Sequence, residues 1–290
     1  MERLDWRPLR GVDQRQLREA RLQAHHAVQW LARAARAYVP PQPDDGHTSL
    51  VWDEVLNGFV THSLSDETRI SLKITDLTLG LHGPHRLTPV RSLALPGHRE
   101  EEPRRWLGEQ LAARGFDASA LDAVSPYQIP AHAIDRGGAY DAIGSAAALA
   151  ELAAWYSNAQ IAFAGVHKQT ARLNLAASPI CCWPHHFDLA TSIRLPLQNT
   201  ATDGFIGAGF SPADEYYDEP YFYVSIYPEP APATLPMLPA MGHWHTHEFT
   251  AGVKLSHKIL AAKNRASETR DFLEGTVAIA LQILGGTPMQ

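Results

Sequence analysis

The chain is short of cysteine and of long apolar runs, and each shortage excludes a class of protein. Among its 290 residues there are two cysteines. Cys181 and Cys182 are adjacent, so a disulfide between them would close a strained ring, and we expect a reducing compartment. No apolar run approaches the roughly 18 residues that span a bilayer, and the first residues lack the apolar core of a signal peptide. The sequence therefore predicts a cytoplasmic protein without a membrane partner.

Positive charge is also scarce in this chain. Lysine and arginine number 25 against 31 aspartates and glutamates, which gives a formal net charge of -6. Nucleic-acid binding requires a basic surface, so nucleic acid is excluded as the main partner. The hydrophobic content of 45% is ordinary for a globular protein, and the chain is long enough to bury a core without disulfides. We expect a small molecule as the partner.

Hydrophobic spacing predicts long helices separated by blocks of short strands. Apolar residues recur at helical spacing over 13–38, 139–163 and 267–284, with a shorter helix between Pro103 and Gly115. Alternating residues predict strands at 50–52, 59–61, 70–75, 76–81 and 90–95, and again at 180–193, 205–210, 221–227 and 242–255. The sequence therefore predicts an α+β fold in which two mainly antiparallel strand blocks are covered by long helices.

The order of these elements repeats along the chain. Residues 12–130 and 137–285 each contain a long helix, a strand block and a further helix, and Trp52 and Trp183 each follow a long helix and a linker. We interpret the chain as a single unit, 1–290, that contains an internal duplication. The alternative is that an α+β chain of this size produces such an order without a duplication.

The segment Gly242–Glu248 carries histidine at every second position. On a strand, His243, His245 and His247 would project from one face, with neighbouring members about 6.6–6.8 Å apart. Two imidazoles at that spacing can reach one metal at about 2.0–2.1 Å, whereas the outer two are too far apart. The pattern predicts a zinc or iron site that uses one His-x-His pair and a ligand from another strand. The alternative is a row of partly exposed histidines beside a buried Trp244.

A second polar cluster lies between Trp183 and Asp188. If the segment is one strand, His186 and Asp188 share a face and can act as metal ligand and orienting carboxylate. His185 would then belong to the apolar face and to the core. The alternative for His186 and Asp188 is a simple polar pair on the sheet surface.

Carboxylates and phenols follow in the next segments. Glu215 lies in the acidic run Asp214–Glu219 and could complete a metal site or act as a general base, although such runs are usually solvated loops. Tyr221, Tyr223 and Tyr227 share one face of a predicted strand. That face either lines a ligand cleft or packs under a helix or loop. The nearby glycines do not form a phosphate loop, because neither a lysine nor a helix follows them.

Several motifs resemble a known family. They include Phe187–Ala190, which reads Phe-Asp-Leu-Ala, and Glu219–Tyr223, which reads Glu-Pro-Tyr-Phe-Tyr. Over roughly Trp30–Leu284 the chain resembles a bacterial family known only as a domain of unknown function. The resemblance implies a cytosolic bacterial protein that forms one unit, and it implies no reaction. In similar proteins the positions of His185 and His186 need not be histidine.

Together these observations predict a metal-dependent enzyme that hydrolyses a small polar substrate. In this scheme two of the three histidines bind zinc or iron, joined by His186 or Glu215. Asp188 orients a ligand, and a remaining carboxylate handles the proton. The alternative is a non-catalytic module that binds a small molecule or a protein through the tyrosine face and the proline-rich segment Pro228–Pro239.

Overall fold

The computed structural model describes residues 5–84, 88–142, 144–197 and 203–285. The helices are α1 (Gln14–Tyr38), α2 (Glu101–Ala112), α3 (Ala146–Arg172), α4 (Ser256–Ala261) and α5 (Arg265–Ile283). The strands are β1 (Leu50–Asp53), β2 (Gly58–Thr61), β3 (Arg69–Lys73), β4 (Thr78–His82), β5 (Arg91–Ala94), β6 (Cys181–Trp183), β7 (Asp188–Leu195), β8 (Gly204–Ser211), β9 (Tyr221–Tyr227), β10 (His243–His245) and β11 (Ala251–Leu255).

The predicted fold class is confirmed. The described pairings between these strands are antiparallel, and the long helices pack on them, so the protein is an α+β structure built on antiparallel sheet. Of the helices in the described ranges, none combines the length and the apolar character needed to cross a bilayer.

The chain divides into two compact units. The N-terminal unit takes Arg10–Trp155 with Cys181–Phe187, and the C-terminal unit takes Met1–Leu9, Tyr156–Ile180 and Asp188–Gln290. Helix α3 therefore contributes residues to both units. The internal duplication stays a prediction.

In the N-terminal unit the strands follow the order β6-β1-β2-β3-β4-β5. Helix α1 packs against β2 and β3, and the Asp13 carboxylate accepts hydrogen bonds from the first exposed amides of the helix. The ring of His25 on α1 stacks on Phe187 with centroids 5.0 Å apart. Phe187 also lies 5.8 Å from Phe59 of β2. These contacts show that the face of β2 bearing Phe59 is the face turned toward α1.

Three tight turns in the chain share one backbone form. The turns after β1, β3 and β6 each span four residues and end at Asn57, Leu77 and Phe187, with φ of 52°, 51° and 60°. Asparagine tolerates this left-handed region, whereas leucine and phenylalanine rarely adopt it. Phe187 is held there by its ring contacts with His25 and Phe59. Leu77 is completely buried, and its carbonyl accepts a hydrogen bond from the amide of Leu95 at 2.9 Å. The continuous strand predicted over 180–193 is therefore wrong, because a turn occupies 184–187.

In the C-terminal unit the strands follow the order β10-β11-β9-β8-β7. One sheet face is covered by α3, whose Phe163 lies edge-on to Phe222 of β9 at 6.0 Å. Tyr156 of α3 meets Phe210 of β8 at 5.4 Å in the same way. Phe210 and Phe222 are completely buried, so this face is the core of the unit.

Two helices differ in extent from the prediction. Helix α3 begins at Ala146 instead of residue 139 and continues to Arg172 instead of ending at 163, because the buried side chains of Val166 and Thr170 extend its packed face. Helix α5 is capped by Asn264, whose side chain accepts a hydrogen bond from the amide of Ser267 at 3.0 Å. The helix therefore begins before residue 267, where its start was predicted, and Ser267 lies inside the first turn.

Candidate functional site

The polar residues of the C-terminal unit gather on the sheet face opposite to Phe222. Strand pairing places Tyr223 of β9 beside Gly209 of β8 on one side and Val253 of β11 on the other. Val253 in turn pairs with His243 of β10. Because side chains alternate across each strand, these positions share one face. We call it the tyrosine–histidine face, and it consists of Asp188, Ser211, Asp214, Tyr217, Tyr221, Tyr223, His243 and His245.

Gly209 leaves the space in which Tyr223 lies. A Cβ atom at Gly209 would lie 2.1 Å from Cζ of Tyr223, so the phenol ring covers the glycine directly. The ring thereby crosses β8, and its hydroxyl donates a hydrogen bond to the Asp188 carboxylate on β7 at 2.5 Å. Gly209 therefore makes room for the Tyr223 ring. This packing role agrees with the prediction that these glycines do not form a phosphate-binding loop.

The Asp214 carboxylate organises the loop between β8 and β9. One oxygen accepts hydrogen bonds from the backbone amides of Tyr216 at 2.9 Å and Tyr217 at 3.2 Å. The other accepts from the Ser211 hydroxyl at 3.1 Å and from the Tyr221 hydroxyl. One carboxylate thus joins the loop to both strands, and it brings Tyr217 over the sheet.

Burial and neighbouring carboxylates keep the buried phenols protonated. Desolvation, followed by the charge of Asp214, raises the pKa of Tyr221. Desolvation, followed by the charge of Asp188, raises the pKa of Tyr223 well above its usual value. Both hydroxyls therefore act as neutral hydrogen-bond donors to the carboxylates at ordinary pH.

The Tyr217 hydroxyl lies between two imidazoles. Its oxygen is 3.1 Å from Nε2 of His243 and 3.1 Å from Nδ1 of His245. The other ring nitrogen of His245, Nε2, lies 2.7 Å from the backbone carbonyl oxygen of His247. The ring of Tyr217 is held edge-on to Tyr221, with centroids 4.9 Å apart.

These contacts assign the protons of the three groups. A carbonyl oxygen can only accept, so Nε2 of His245 carries the hydrogen and Nδ1 of the neutral ring holds a lone pair. The Tyr217 hydroxyl therefore donates to His245, and His243 donates from Nε2 to the Tyr217 oxygen. The result is a directed chain of hydrogen bonds from His243 through Tyr217 and His245 to the His247 carbonyl.

His243 is the solvent end of this chain. The residue is exposed, although partial desolvation of its ring, followed by the charges of His245, His257 and Lys258, lowers its pKa. The neutral form therefore prevails near pH 7. With Nε2 donating to Tyr217, Nδ1 of His243 presents a lone pair, and no partner for it occurs within the ranges that the structure describes.

The three predicted histidine ligands are not equivalent. Strand β10 ends at His245 and β11 begins at Ala251, so the continuous strand predicted over 242–255 is wrong. His243 and His245 share a face, as expected. The side chain of His247 is 82% exposed, and this residue contributes its backbone carbonyl instead.

The remaining predicted residues lie in different settings. Asp188 is buried and accepts the Tyr223 hydrogen bond, and Glu215 is exposed in the loop that Asp214 organises. His186 lies in the four-residue turn of the N-terminal unit, with its ring 4.2 Å from that of His185. Among the described residues, no three or more His, Cys, Asp or Glu side chains are grouped so as to hold a metal ion. The zinc or iron cofactor stays a prediction.

Sequence reasoning missed Tyr217, the residue at the centre of the site. A signal for it exists in the sequence, because Asp214 precedes Tyr217 by three positions. Aspartate side chains often accept hydrogen bonds from amides two and three residues onward and fold the chain back. That pattern predicts a compact loop over the strand ends in place of an open solvated one.

Comparisons with protein-family models, curated proteins and solved structures found no match for this chain. The resemblance to a bacterial domain of unknown function therefore stays a prediction, and the side-chain arrangement of the tyrosine–histidine face carries the functional argument.

Proposed function

We propose that the C-terminal unit is a binding module for a small polar molecule, which it takes at the His243 end of the tyrosine–histidine face. The observation that carries this proposal is the Tyr217 hydroxyl held between two imidazoles. Such an arrangement fixes both ring orientations and proton positions before a ligand arrives, which lowers the entropy cost of binding. A simple surface histidine would not need this support.

The chemistry of the exposed end favours a ligand that donates hydrogen bonds. His243 offers an acceptor at Nδ1, and the loop beside it carries the exposed carboxylates of Glu215 and Asp218. The phenol rings of Tyr216 and Tyr217 provide apolar area and an electron-rich face that attracts cations. A small amine, present as an ammonium ion, suits the carboxylates and phenol rings of this loop.

The proposal can be tested by thermal unfolding with small amines as probes. We expect ethanolamine, putrescine or a related primary amine at millimolar concentration to raise the unfolding temperature of the native chain, because a ligand that binds only the folded state stabilises it. The increase should vanish in Tyr217→Phe, which removes one oxygen atom.

Tyr227→Phe provides the matched control. Tyr227 lies on the same strand face as Tyr223, is 56% exposed, and takes no part in the hydrogen-bonded chain of His243, Tyr217 and His245, so its variant should retain the whole increase. If no amine, sugar or carboxylic acid in a broad panel stabilises the native chain more than the Tyr217→Phe variant, the binding function is excluded.

Metal-assisted hydrolysis is the second candidate, and the convergence of two imidazole nitrogens on one oxygen supports it. In that scheme His243 and His245 bind zinc or iron, and Glu215 of the loop that carries Tyr217 handles the proton. We expect Zn²⁺-dependent hydrolysis of 4-nitrophenyl acetate or phosphate that is lost in His245→Ala. Equal rates for the native chain and this variant would eliminate the enzyme.

We also propose a cytoplasmic location. Cys181 and Cys182 lie in succession on strand β6, where adjacent side chains point to opposite sides of the sheet and are poorly placed for a bridge. That placement supports a reducing compartment.

A further inference from the structure

Two imidazole nitrogens of β10 converge on a single point. Nε2 of His243 and Nδ1 of His245 each lie 3.1 Å from the oxygen of Tyr217. The pair comes from one strand and one face, while the phenol comes from the loop before β9. Each nitrogen is thus separated from the oxygen by about the distance between neighbouring ligands of an ion that is bound at about 2.0–2.1 Å.

His245 is also oriented as a metal ligand would be. Its Nε2–H donates to the His247 carbonyl at 2.7 Å, which leaves the lone pair of Nδ1 directed at Tyr217. Proteins orient their metal-binding histidines by such a hydrogen bond from the second ring nitrogen to a carbonyl or carboxylate. The backbone of the segment that follows β10 therefore fixes the tautomer needed for coordination.

Tyr217 supplies the third donor. Its backbone amide is bonded to Asp214 and its ring is held against Tyr221, so the hydroxyl is positioned by both main chain and side chain. A phenol binds a metal after losing its proton, and the positive charge of the ion offsets the cost of that loss. Binding would release the phenol proton to solvent and shift the His243 hydrogen from Nε2 to Nδ1, so that both nitrogens present lone pairs. The 3.1 Å separations need little change, because neighbouring ligands of a tetrahedral ion held at about 2.0–2.1 Å are roughly 3.3 Å apart.

We propose that Tyr217, His243 and His245 form a site for a transition-metal ion of the Cu²⁺ or Fe³⁺ type. Imidazole suits copper and iron, whereas Mg²⁺ and Ca²⁺ prefer carboxylate, carbonyl and water oxygens. The site uses a tyrosine as the third ligand in place of His247 or His186. This inference goes beyond the binding module proposed above and does not depend on it, because the metal binds without a small molecule. It shares His243 and His245 with the hydrolytic candidate and adds Tyr217 as the third ligand.

The test is a titration of the chelator-treated full chain with Cu²⁺, followed by visible absorption and equilibrium dialysis. We expect one ion per chain and a charge-transfer band from phenolate to copper. Tyr217→Phe should lose the band and bind copper at least tenfold more weakly, and His245→Ala should lose at least tenfold in affinity. His247→Ala and His186→Ala serve as matched controls and should bind like the native chain.

The inference is overturned if the band is absent, if copper binds equally to Tyr217→Phe, or if His186→Ala causes the larger loss. Circular dichroism of each variant establishes that the fold is retained, and Tyr217→Phe changes only one oxygen atom. The amine experiment is run with chelator present. A failure of copper binding beside a retained amine effect therefore removes the metal site alone, and the reverse result removes the binding function alone.

Discussion

The two units use the second faces of their sheets differently. In the N-terminal unit, the face turned away from Phe59 carries Val60, Ser71 and His82, which are all buried, and Ser71 and His82 are hydrogen-bonded at 2.8 Å. In the C-terminal unit the second face is the tyrosine–histidine face, whose His243 end is exposed. A long helix followed by antiparallel strands thus supports either a closed or an accessible polar face. Function must therefore be argued from side chains and not from the order of elements.

The same contrast recurs at single positions. Gly58 follows the left-handed residue of the turn after β1, and Asp188 follows that of the turn after β6. A Cβ atom at Gly58 would lie 2.1 Å from the backbone oxygen of Leu72, so no side chain fits there. At Asp188 a carboxylate fits and receives the Tyr223 hydroxyl. The residue after each turn therefore differs in role. Gly58 has no room for a side chain, whereas Asp188 belongs to the tyrosine–histidine face.

The largest expected effect comes from adding a methyl group at the closed position. Gly58→Ala should lower the free energy of unfolding by about 3 kcal/mol, because the clash is with backbone that cannot move aside. Asp188→Ala should cost about 1–2 kcal/mol, because the buried Tyr223 hydroxyl loses its acceptor. Urea unfolding of both variants measures the difference, and equal losses would show that the two positions are not distinguished by packing.

The next effect concerns a histidine of the N-terminal unit. Burial lowers the pKa of His25 to about 3, despite its 2.9 Å hydrogen bond to the Pro184 carbonyl. As the pH falls, His25 therefore binds a proton at a higher pH in the unfolded chain than in the folded chain. The contribution of His25 to the free energy of unfolding is fully present above pH 6.5 and is lost as the pH falls toward 3. The free energy of unfolding should fall by about 2 kcal/mol between pH 6.5 and 4.5 from this residue.

His25→Gln isolates this contribution from that of the other histidines. Urea unfolding gives the free energy of unfolding of the native chain and the variant at several pH values between 7 and 4. The difference between the two should change with pH, since only the native chain has an imidazole at position 25. A constant separation would contradict the assignment of a buried neutral imidazole.

The smallest effect concerns two tyrosines on one strand. Tyr223→Phe removes a hydrogen bond to a buried carboxylate and should cost about 1–2 kcal/mol. Tyr227→Phe, at an exposed position of β9, should change stability by less than about 0.5 kcal/mol. Thermal and urea unfolding of the two single variants compare the loss of a buried hydroxyl with the loss of an exposed one. Similar changes in the free energy of unfolding would show that the Tyr223 hydrogen bond does not stabilise the fold.

Much of the fold was accessible from hydrophobic spacing. Helix α1 and strand β9 were predicted almost to the residue, because their apolar spacing is regular and proline or polar loops bound them. The turns inside 180–193 and 242–255 were missed. Phe187 and Glu248 adopt a left-handed backbone there, and neither residue type signals such a turn, which glycine or asparagine would have done.

The candidate site was accessible only in part. Residue spacing along β10 correctly placed His243 and His245 on one face, since that depends on strand periodicity alone. The bridging position of Tyr217 depends on a loop shaped by the Asp214 carboxylate and on pairing between distant strands. Local sequence carries little information about such long-range register.

Strand β10 has 3 residues and is the first in the strand order of its unit. Short edge strands detach at a small fraction of the energy of global unfolding. Both imidazoles that hold Tyr217 are thus mounted on weakly anchored backbone, so deuterium uptake at His243–His245 will outpace that at Tyr221–Tyr227. A ligand or metal ion bound at His243 and His245 will slow deuterium uptake in β10 and reduce its difference from β9. Amide exchange can therefore detect binding even when the bound species has not been identified.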